Sequence, residues 1–112
     1  MGLESASVLG NLMLHSTSRT QIPAILRLYN QLRLPRTEIV RGASKKLGEL
    51  WHMPDGPVCD ARDQDLLHGD PSIGFPNLLA DPCFQTWLWS YDPKKEARIA
   101  FEEHIQRETS ES

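Results

Sequence analysis

The chain has 112 residues, of which 39% are hydrophobic and 24% are charged, and its formal net charge is −3. These proportions exclude wholesale disorder, the acidic balance offers no basic surface to nucleic acid, and no apolar run approaches the roughly 18 residues of a membrane span. We therefore expect one small domain, or a piece of a larger protein, in the cytoplasm and with no nucleic-acid or membrane partner.

Apolar residues near the start of the chain have the spacing of an amphipathic helix. They recur in steps of three and four positions, as Leu3, Ala6, Leu9, Leu12 and Met13. This spacing predicts a helix near residues 3–15, ended by the polar run "HSTSRT".

A second helix is predicted near residues 21–33. Thr20 is its expected N-cap, because that start places Pro23 in the first turn, where its missing N–H costs little. Ser18 and Gln21 have the spacing of a capping box, but a start at Ser18 would put Pro23 too deep in the helix. The expected buried face consists of Ile25, Leu26, Tyr29 and Leu32.

Pro35 interrupts the helical pattern, which resumes over residues 36–51. Proline disfavours helical angles at the residue before it, so Pro35 either begins a new helix or kinks a long one. The stretch "RLPR" places Arg33 and Arg36 on what we expect to be the polar side of this bend. Residues 1–51 are thus predicted to form long, proline-bent helices.

Residues 52–80 are predicted to be rich in loops. "HMPDGP" is a turn in which Pro57 is expected to stop any return to helix, and "GDPSIGFP" is a loop. Between them, "VCDARDQDLLH" allows a short helix of weak periodicity.

Residues 81–108 are predicted to hold the last helices. Asp81 and Pro82 have the pattern of an N-cap and a first helical residue, for a short helix near 82–90. Asp92 and Pro93 repeat this pattern for a helix near 94–107, after which the tail is expected to fray. With no β-type alternation and no internal repeat, we predict an all-α fold, a single bundle of about five helices over residues 1–112.

No catalytic residue and no metal site is predicted. The cysteines and histidines lack the short spacing of zinc motifs, and the acidic run from Asp60 lacks the glycine and glutamate of a calcium loop. Trp87 and Trp89 are expected to serve a core or interface rather than a ligand platform. His52 and His68 lie close in sequence to Asp55 and Asp70, which leaves a cofactor-free small enzyme as the weakest alternative.

One constellation resembles a known family, and it consists of Tyr29, Arg33, Pro35, Arg36, Val40 and Ser44. It matches the "Y…R.PR…V…S" pattern in the C-terminal part of FAD-dependent aromatic monooxygenases, particularly the salicylate hydroxylase-like enzymes of fungi. "GLESASVLGNLM", "HMPDGPVCDARD" and "DPCFQTWLWSYD" also resemble segments of that family, in the same order, so that the resemblance runs from about residue 2 to residue 107.

The resemblance implies a particular role for this chain. Such enzymes reduce FAD with NAD(P)H and hydroxylate aromatic or polyketide-like substrates, in fungi often within secondary metabolism. It implies that Pro35 bends the helices packed along the back of the FAD domain, with Arg33 and Arg36 on the outer side. It also implies that the first helix, at Gly2 and Leu3, faces the flavin pyrimidine, and these are the only cofactor-binding residues expected here.

The chain departs from the family in several respects. It has no G-x-G-x-x-G motif and no parallel-strand pattern, so the Rossmann-type FAD domain is absent from these residues. The family's "GDAAH" segment would precede Met1, and Ser5 stands where the family has Asp after Glu. The chain is therefore expected to be a truncated monooxygenase-like protein. The alternative is a non-catalytic helical module or remnant that binds a flavoprotein, or a second copy of itself, through an exposed apolar face.

Overall fold

The computed structural model describes residues 1–69, 74 and 76–111. Within these residues the chain is all-α and contains no strand, which confirms the predicted fold class. None of the described helices combines the length and apolar character needed to cross a membrane. The helices are α1 (Gly2–Leu14), α2 (Ile22–Trp51), α3 (Pro57–His68), α4 (Pro82–Trp89) and α5 (Pro93–Glu111), with 3-10 turns at Arg19–Gln21 and Leu78–Ala80.

The chain divides into two compact units. The first unit comprises Met1–Ile39 and Asp92–Ser112, and the second comprises Val40–Tyr91. In the first unit α1 packs against α5. The apolar stripes of its helices bury Val8, Leu12, Ala24, Ile25, Leu28 and Ala97.

The start of α2 differs from the prediction. Ser18, rather than Thr20, provides the cap: its hydroxyl accepts a hydrogen bond from the Thr20 N–H at 3.2 Å and begins the 3-10 turn. Because this turn comes first, α2 begins at Ile22 and Pro23 still lies in its first turn. A start at Ser18 therefore does not put Pro23 too deep in the helix, because the 3-10 turn takes up the residues between Ser18 and the start of α2.

The buried face of α2 is also rotated from the predicted one. Ile25 is fully buried as predicted, but Leu26 is 46% exposed and Leu28 is buried in its place. Ile25 and Leu28 are three residues apart and so lie on one face of the helix, whereas Leu26 is turned away from them. The inclusion of Leu26 in the buried face was therefore wrong, and the three-residue spacing from Ile25 favours Leu28.

Pro35 lies inside α2, which continues without interruption from Ile22 to Trp51. The prediction of separate helices over 21–33 and 36–51 is therefore wrong, and the alternative of one long helix is correct. The Pro35 ring is exposed, so the helix accommodates it at the cost of one backbone hydrogen bond. Two residues later, the Thr37 hydroxyl donates to the carbonyl oxygen of Arg33 at 2.8 Å.

The second unit contains the predicted short helix, as α3, within the segment expected to be rich in loops. Pro57 does not stop the helix but occupies its first position, where no N–H is needed. Gly56 precedes it at φ 154°, a conformation that residues with a Cβ rarely adopt. Most of the predicted loop over 69–76 lies outside the described residues.

The caps of the last two helices are as predicted. The Asp81 carboxylate accepts hydrogen bonds from two N–H groups at the start of α4, and the Asp92 carboxylate accepts one from Lys95 at 3.2 Å. The predicted fraying after residue 107 is wrong, because α5 continues to Glu111. Its last turn is supported by the hydroxyl groups of Thr109 and Ser110, each of which donates to the carbonyl four residues earlier at 2.9 Å.

Candidate functional site at the start of helix α1

The two residues predicted to contact a cofactor lie at the exposed start of α1. Gly2 is its first residue, and Leu3 is 91% exposed. Met1 stands at the N-cap position without a side-chain cap, and the first backbone bond joins the Ser5 N–H to the Met1 carbonyl at 2.9 Å. The N–H groups of residues 2 to 4 therefore have no partner within the helix and carry the partial positive charge of its N-terminus.

The start of α1 is also sterically open. A Cβ added at Gly2 would meet no atom within 4 Å. The space beside Gly2 is therefore open to an approaching group. Such an arrangement favours an electron-rich group, with an electrostatic contribution of at most about 2 kcal/mol.

A cluster of charged side chains joins this first turn to α2. Glu4 Oε1 accepts a hydrogen bond from Arg33 Nη1 at 2.6 Å and a second, shorter one from Arg36 Nε. Glu4 Oε2 accepts from Arg36 Nη2 at 3.2 Å. The side chains of Arg33 and Arg36 are only 4% and 6% exposed, against 20% for Glu4. We call these three residues the Glu4 cluster.

Ser5 contributes to the same arrangement. Its hydroxyl oxygen accepts a hydrogen bond from Arg33 Nε at 3.0 Å. Where the resembling family has Asp after Glu, this chain has Ser5. Arg33 therefore donates to the neutral hydroxyl oxygen of Ser5 as well as to the charged carboxylate of Glu4. Glu4 and Ser5, which are consecutive on α1, both accept hydrogen bonds from the Arg33 guanidinium of α2. These hydrogen bonds fix the first turn of α1 on α2.

The Glu4 cluster corrects the sequence-based placement of the two arginines. Arg33 and Arg36 were predicted on the polar, outer side of the bend, yet they are 3% and 6% exposed as residues. A signal was present in the sequence: Arg33 follows Ile25 by eight residues and Arg36 follows Leu28 by eight, so both continue the buried stripe. Burial of the two guanidinium groups is tolerated because they donate hydrogen bonds to the Glu4 carboxylate and the Ser5 hydroxyl.

Opposing effects act on the pKa of Glu4. Partial burial acts to raise this pKa, but hydrogen bonds and charge from Arg36 and Arg33 outweigh it and leave the pKa below its ordinary value. Glu4 is therefore ionised at neutral pH. The cluster is an ion pair that positions a helix start, and it contains no nucleophile or base aimed at a substrate.

Residues considered for other sites are not brought together in the described part of the chain. His52 Nδ1 lies 2.8 Å from the Gly48 carbonyl oxygen of its own helix, and Asp70 lies outside the described residues. No group of three or more potential metal ligands occurs among residues 1–69, 74 and 76–111. The acidic run from Asp60 lies on α3 rather than in a loop, so it lacks the backbone of a calcium loop.

The aromatic residues of α4 form no common platform. Trp87 is half-buried and packs near Phe84, with 5.7 Å between ring centroids. Trp89 is 77% exposed and donates its indole N–H to Gln85 Oε1 at 2.5 Å. This placement agrees with packing of Trp87 rather than with stacking of a ligand between the two indoles.

Comparison with known proteins gives relatives of one kind. The chain is 34% identical to the FAD-dependent monooxygenase OpS4 of Beauveria bassiana over 93 residues, which are 80% of this chain and 21% of that protein. It is 38% identical over 64 residues to a 3-amino-4-hydroxybenzoate 2-monooxygenase of Streptomyces cremeus, covering 57% of this chain and 14% of that enzyme. A third relative, the 3-amino-4-hydroxybenzoate 2-monooxygenase PtmB3 of Streptomyces platensis, is 44% identical over 41 residues, which are 37% of this chain and 10% of that protein.

No model of a known protein family matches the chain. The chain spans about a fifth, or less, of the length of the curated relatives it matches. Its homologues are therefore monooxygenases, one of them named as FAD-dependent, and the similarity concerns one part of each.

Proposed function

We propose that this chain is the C-terminal helical part of an FAD-dependent monooxygenase that hydroxylates an aromatic or polyketide-type substrate. We further propose a salicylate hydroxylase-like enzyme of fungal secondary metabolism, located in the cytoplasm. The observation that carries the proposal is the 34% identity to the Beauveria bassiana monooxygenase over 80% of this chain. The helical architecture and the order of the resembling segments support it.

In this proposal the start of α1 lies against the flavin. The open N–H groups near Gly2 and Leu3 suit the electron-rich pyrimidine edge of an isoalloxazine ring, and the space beside Gly2 gives access to a planar group. When bound, FAD would supply the redox chemistry that activates oxygen. This chain's own residues would supply only the orientation of the helix start, which the Glu4 cluster fixes on α2.

The 112 residues by themselves are not expected to bind FAD tightly. They contain no G-x-G-x-x-G motif for the pyrophosphate. A helix N-terminus contributes at most about 2 kcal/mol, whereas micromolar binding requires about 8 kcal/mol. Titration of the purified chain, followed by quenching of flavin fluorescence, should give a dissociation constant no tighter than about millimolar, with no substrate-stimulated consumption of NADPH.

A chimera tests the family assignment directly. The 93 matched residues would replace the corresponding segment of the Beauveria bassiana monooxygenase, and bound flavin would be measured by its visible absorbance. We expect a folded, yellow chimera. A chimera that is folded by circular dichroism and monodisperse, yet colourless, would contradict the proposal, and a chimera carrying Glu4→Ala would test the role of the Glu4 cluster.

A second candidate function is that of a non-catalytic interaction module. Several large apolar side chains are more than 70% exposed, which is unusual in a small monomer: Leu3, Leu14, Val58, Leu67 and Trp89. The proposed partner is a flavoprotein or a second copy of this chain. Analytical ultracentrifugation of the chain, alone and with a flavoprotein of the related family, would reveal such binding. A monomer that binds neither would rule the module out.

A further inference from the structure

The first unit contains a cavity of about 230 Å³ with a predominantly basic lining. It lies where the carboxyl end of α1 meets the start of α5. The lining residues are His15, Asp92, Lys94, Lys95 and Arg98. None of them belongs to the Glu4 cluster or to the start of α1.

The charge of this cavity is opposite to that of the chain. Lys94, Lys95 and Arg98 are three cations against the one carboxylate of Asp92, which leaves a formal charge of +2 with His15 neutral, while the whole chain carries −3. Within residues 1–69, 74 and 76–111, no ion pair engages these three cations. Their N–H donors are therefore available to an anion.

The walls of the cavity are held in place on both sides. The His15 ring is half-buried and stacks on Phe101, with 5.4 Å between ring centroids and 20° between their planes. The Asp92 carboxylate accepts the Lys95 N–H at 3.2 Å and thereby fixes the first turn of α5. The cations thus lie in the first turns of a capped helix and line the same cavity as a stacked imidazole.

The volume indicates the size of the group that can enter the cavity. At roughly 30 Å³ of liquid volume per water molecule, the cavity would hold about eight waters. This is enough for a phosphate group with a few attached atoms, whereas drug-sized ligands occupy sites of about 300 to 1,000 Å³.

We propose that this cavity binds the phosphate group of a small phosphorylated ligand. Arg98 supplies a planar pair of N–H donors suited to two phosphate oxygens, and Lys94 and Lys95 supply point charges. His15, at the carboxyl end of α1, supplies a ring N–H. The proposal rests on this cavity alone and does not depend on the proposed monooxygenase function.

A purely structural role of the three cations would lead to a different experimental result. The last turn of α1 carries no basic residue, so the cations of α5 could simply offset the partial negative charge at its carboxyl end. In that case removing the cations would lower thermal stability but leave no anion binding to lose. The two roles are therefore separable by a binding measurement.

The test is a titration of the whole chain with inorganic phosphate, and with phenyl phosphate as a simple ester, at constant ionic strength set by chloride. Binding is followed by NMR of the His15 ring, assigned with His15→Gln. We expect saturable shifts at concentrations on the order of millimolar, and a loss of affinity of at least about tenfold in Lys94→Gln/Arg98→Gln. Tighter binding of the ester than of the free ion would identify an ester as the ligand type.

The matched control is Lys45→Gln/Arg27→Gln, which removes one lysine and one arginine outside the cavity and should leave the titration unchanged. Asp92→Asn keeps a capping side chain and removes the repelling charge, so it should tighten binding about two- to threefold. Absence of saturation, or equal loss in the control, would overturn the proposal. So would retained affinity in Lys94→Gln/Arg98→Gln.

Discussion

The two units of the chain are ordered by different means. In the described part of the first unit, six apolar residues are buried and four of them, Val8, Leu12, Ile25 and Ala97, have no exposed surface. In the described part of the second unit only Cys59 and Leu78 are buried apolar residues. The first unit has a small core of its own, whereas the second buries only these two apolar side chains among its described residues.

Polar contacts take a larger share in the second unit. The Arg62 guanidinium donates to the Leu50 carbonyl, to Asp63 Oδ1 at 2.7 Å and to Cys59 Sγ at 3.1 Å. Asp81, which is 3% exposed, accepts three backbone N–H groups. Each such contact adds modest net stability, so this unit should open more readily than the first. A unit of this kind agrees with a chain that is part of a larger enzyme.

The largest expected effect comes from truncating the core of the first unit. Leu12→Ala should lower the free energy of unfolding by about 3–5 kcal/mol, since Leu12 is fully buried and its removal leaves a cavity. The matched change in the second unit, Leu78→Ala, should lower the free energy of unfolding by about 2 kcal/mol. This is close to the free energy of transferring the lost apolar atoms from water to an apolar environment, with no added cost for a cavity. Urea denaturation followed by circular dichroism measures both, and equal losses would contradict the difference between the units.

The next effect concerns the Glu4 cluster. Glu4→Gln should destabilise the chain by about 2–3 kcal/mol, because two buried guanidinium groups lose their countercharge while one fifth of the Glu4 side chain remains exposed. Glu49→Gln, an exposed position on α2, is the control and should change stability by less than about 0.5 kcal/mol. A loss in Glu4→Gln no larger than in this control would show that the cluster contributes nothing to the first unit.

The same cluster predicts a dependence on pH. The pKa of Glu4 is lowered in the folded chain, so its stabilisation is present above its unfolded pKa and is lost as pH falls through the folded value. The stability difference between the wild-type chain and Glu4→Gln should therefore be constant from pH 7 to about 5 and shrink below about pH 4. A difference that grew on acidification would reverse the sign and refute this account.

The sequence predicts the helices of this chain and their caps better than it predicts which charged side chains are buried. Caps at Asp81 and Asp92 followed from local chemistry, since Asp before Pro at the start of a helical pattern is typical of an N-cap and a first helical residue. The burial of Arg33 and Arg36 depends on Glu4, which is about 30 positions away, and no local pattern reports such a partner. The basic cavity was missed for the same reason, because His15 and Arg98 meet only through the packing of α1 on α5.

A smaller effect is expected from the proline inside α2. Pro35→Ala restores one backbone N–H at an exposed position, and the gain in helix stability should exceed the added freedom of the unfolded chain, for a net stabilisation of about 1–2 kcal/mol. Pro82→Ala, at the first position of α4, is the control and should change little. Phosphate binding at His15 should be unaffected, and a specific loss of it would show that Pro35 shapes a site rather than a helix.

The smallest and most local effect is expected at Asp81 in the second unit. Its Oδ2 accepts the Gly74 N–H at 2.7 Å, while its Oδ1 accepts those of Cys83 and Phe84 at 2.8 and 3.2 Å. Asp81→Asn keeps one oxygen acceptor, so hydrogen exchange should accelerate at Gly74 and remain slow at the two α4 amides. Asp81→Ala should accelerate all three.

Acidification gives an independent measure of the same contacts. The Gly74 hydrogen bond lowers the pKa of Asp81, burial opposes it, and the Phe84 and Cys83 N–H groups add to the lowering. Since the folded pKa lies below the unfolded one, this stabilisation is present above the unfolded pKa, near 4, and is lost as pH falls through the folded value. Asp60→Asn, on the exposed face of α3, should leave these amides unchanged. If Gly74 stays protected in Asp81→Ala, the second unit does not depend on polar contacts, and the contrast between the two units would need another cause.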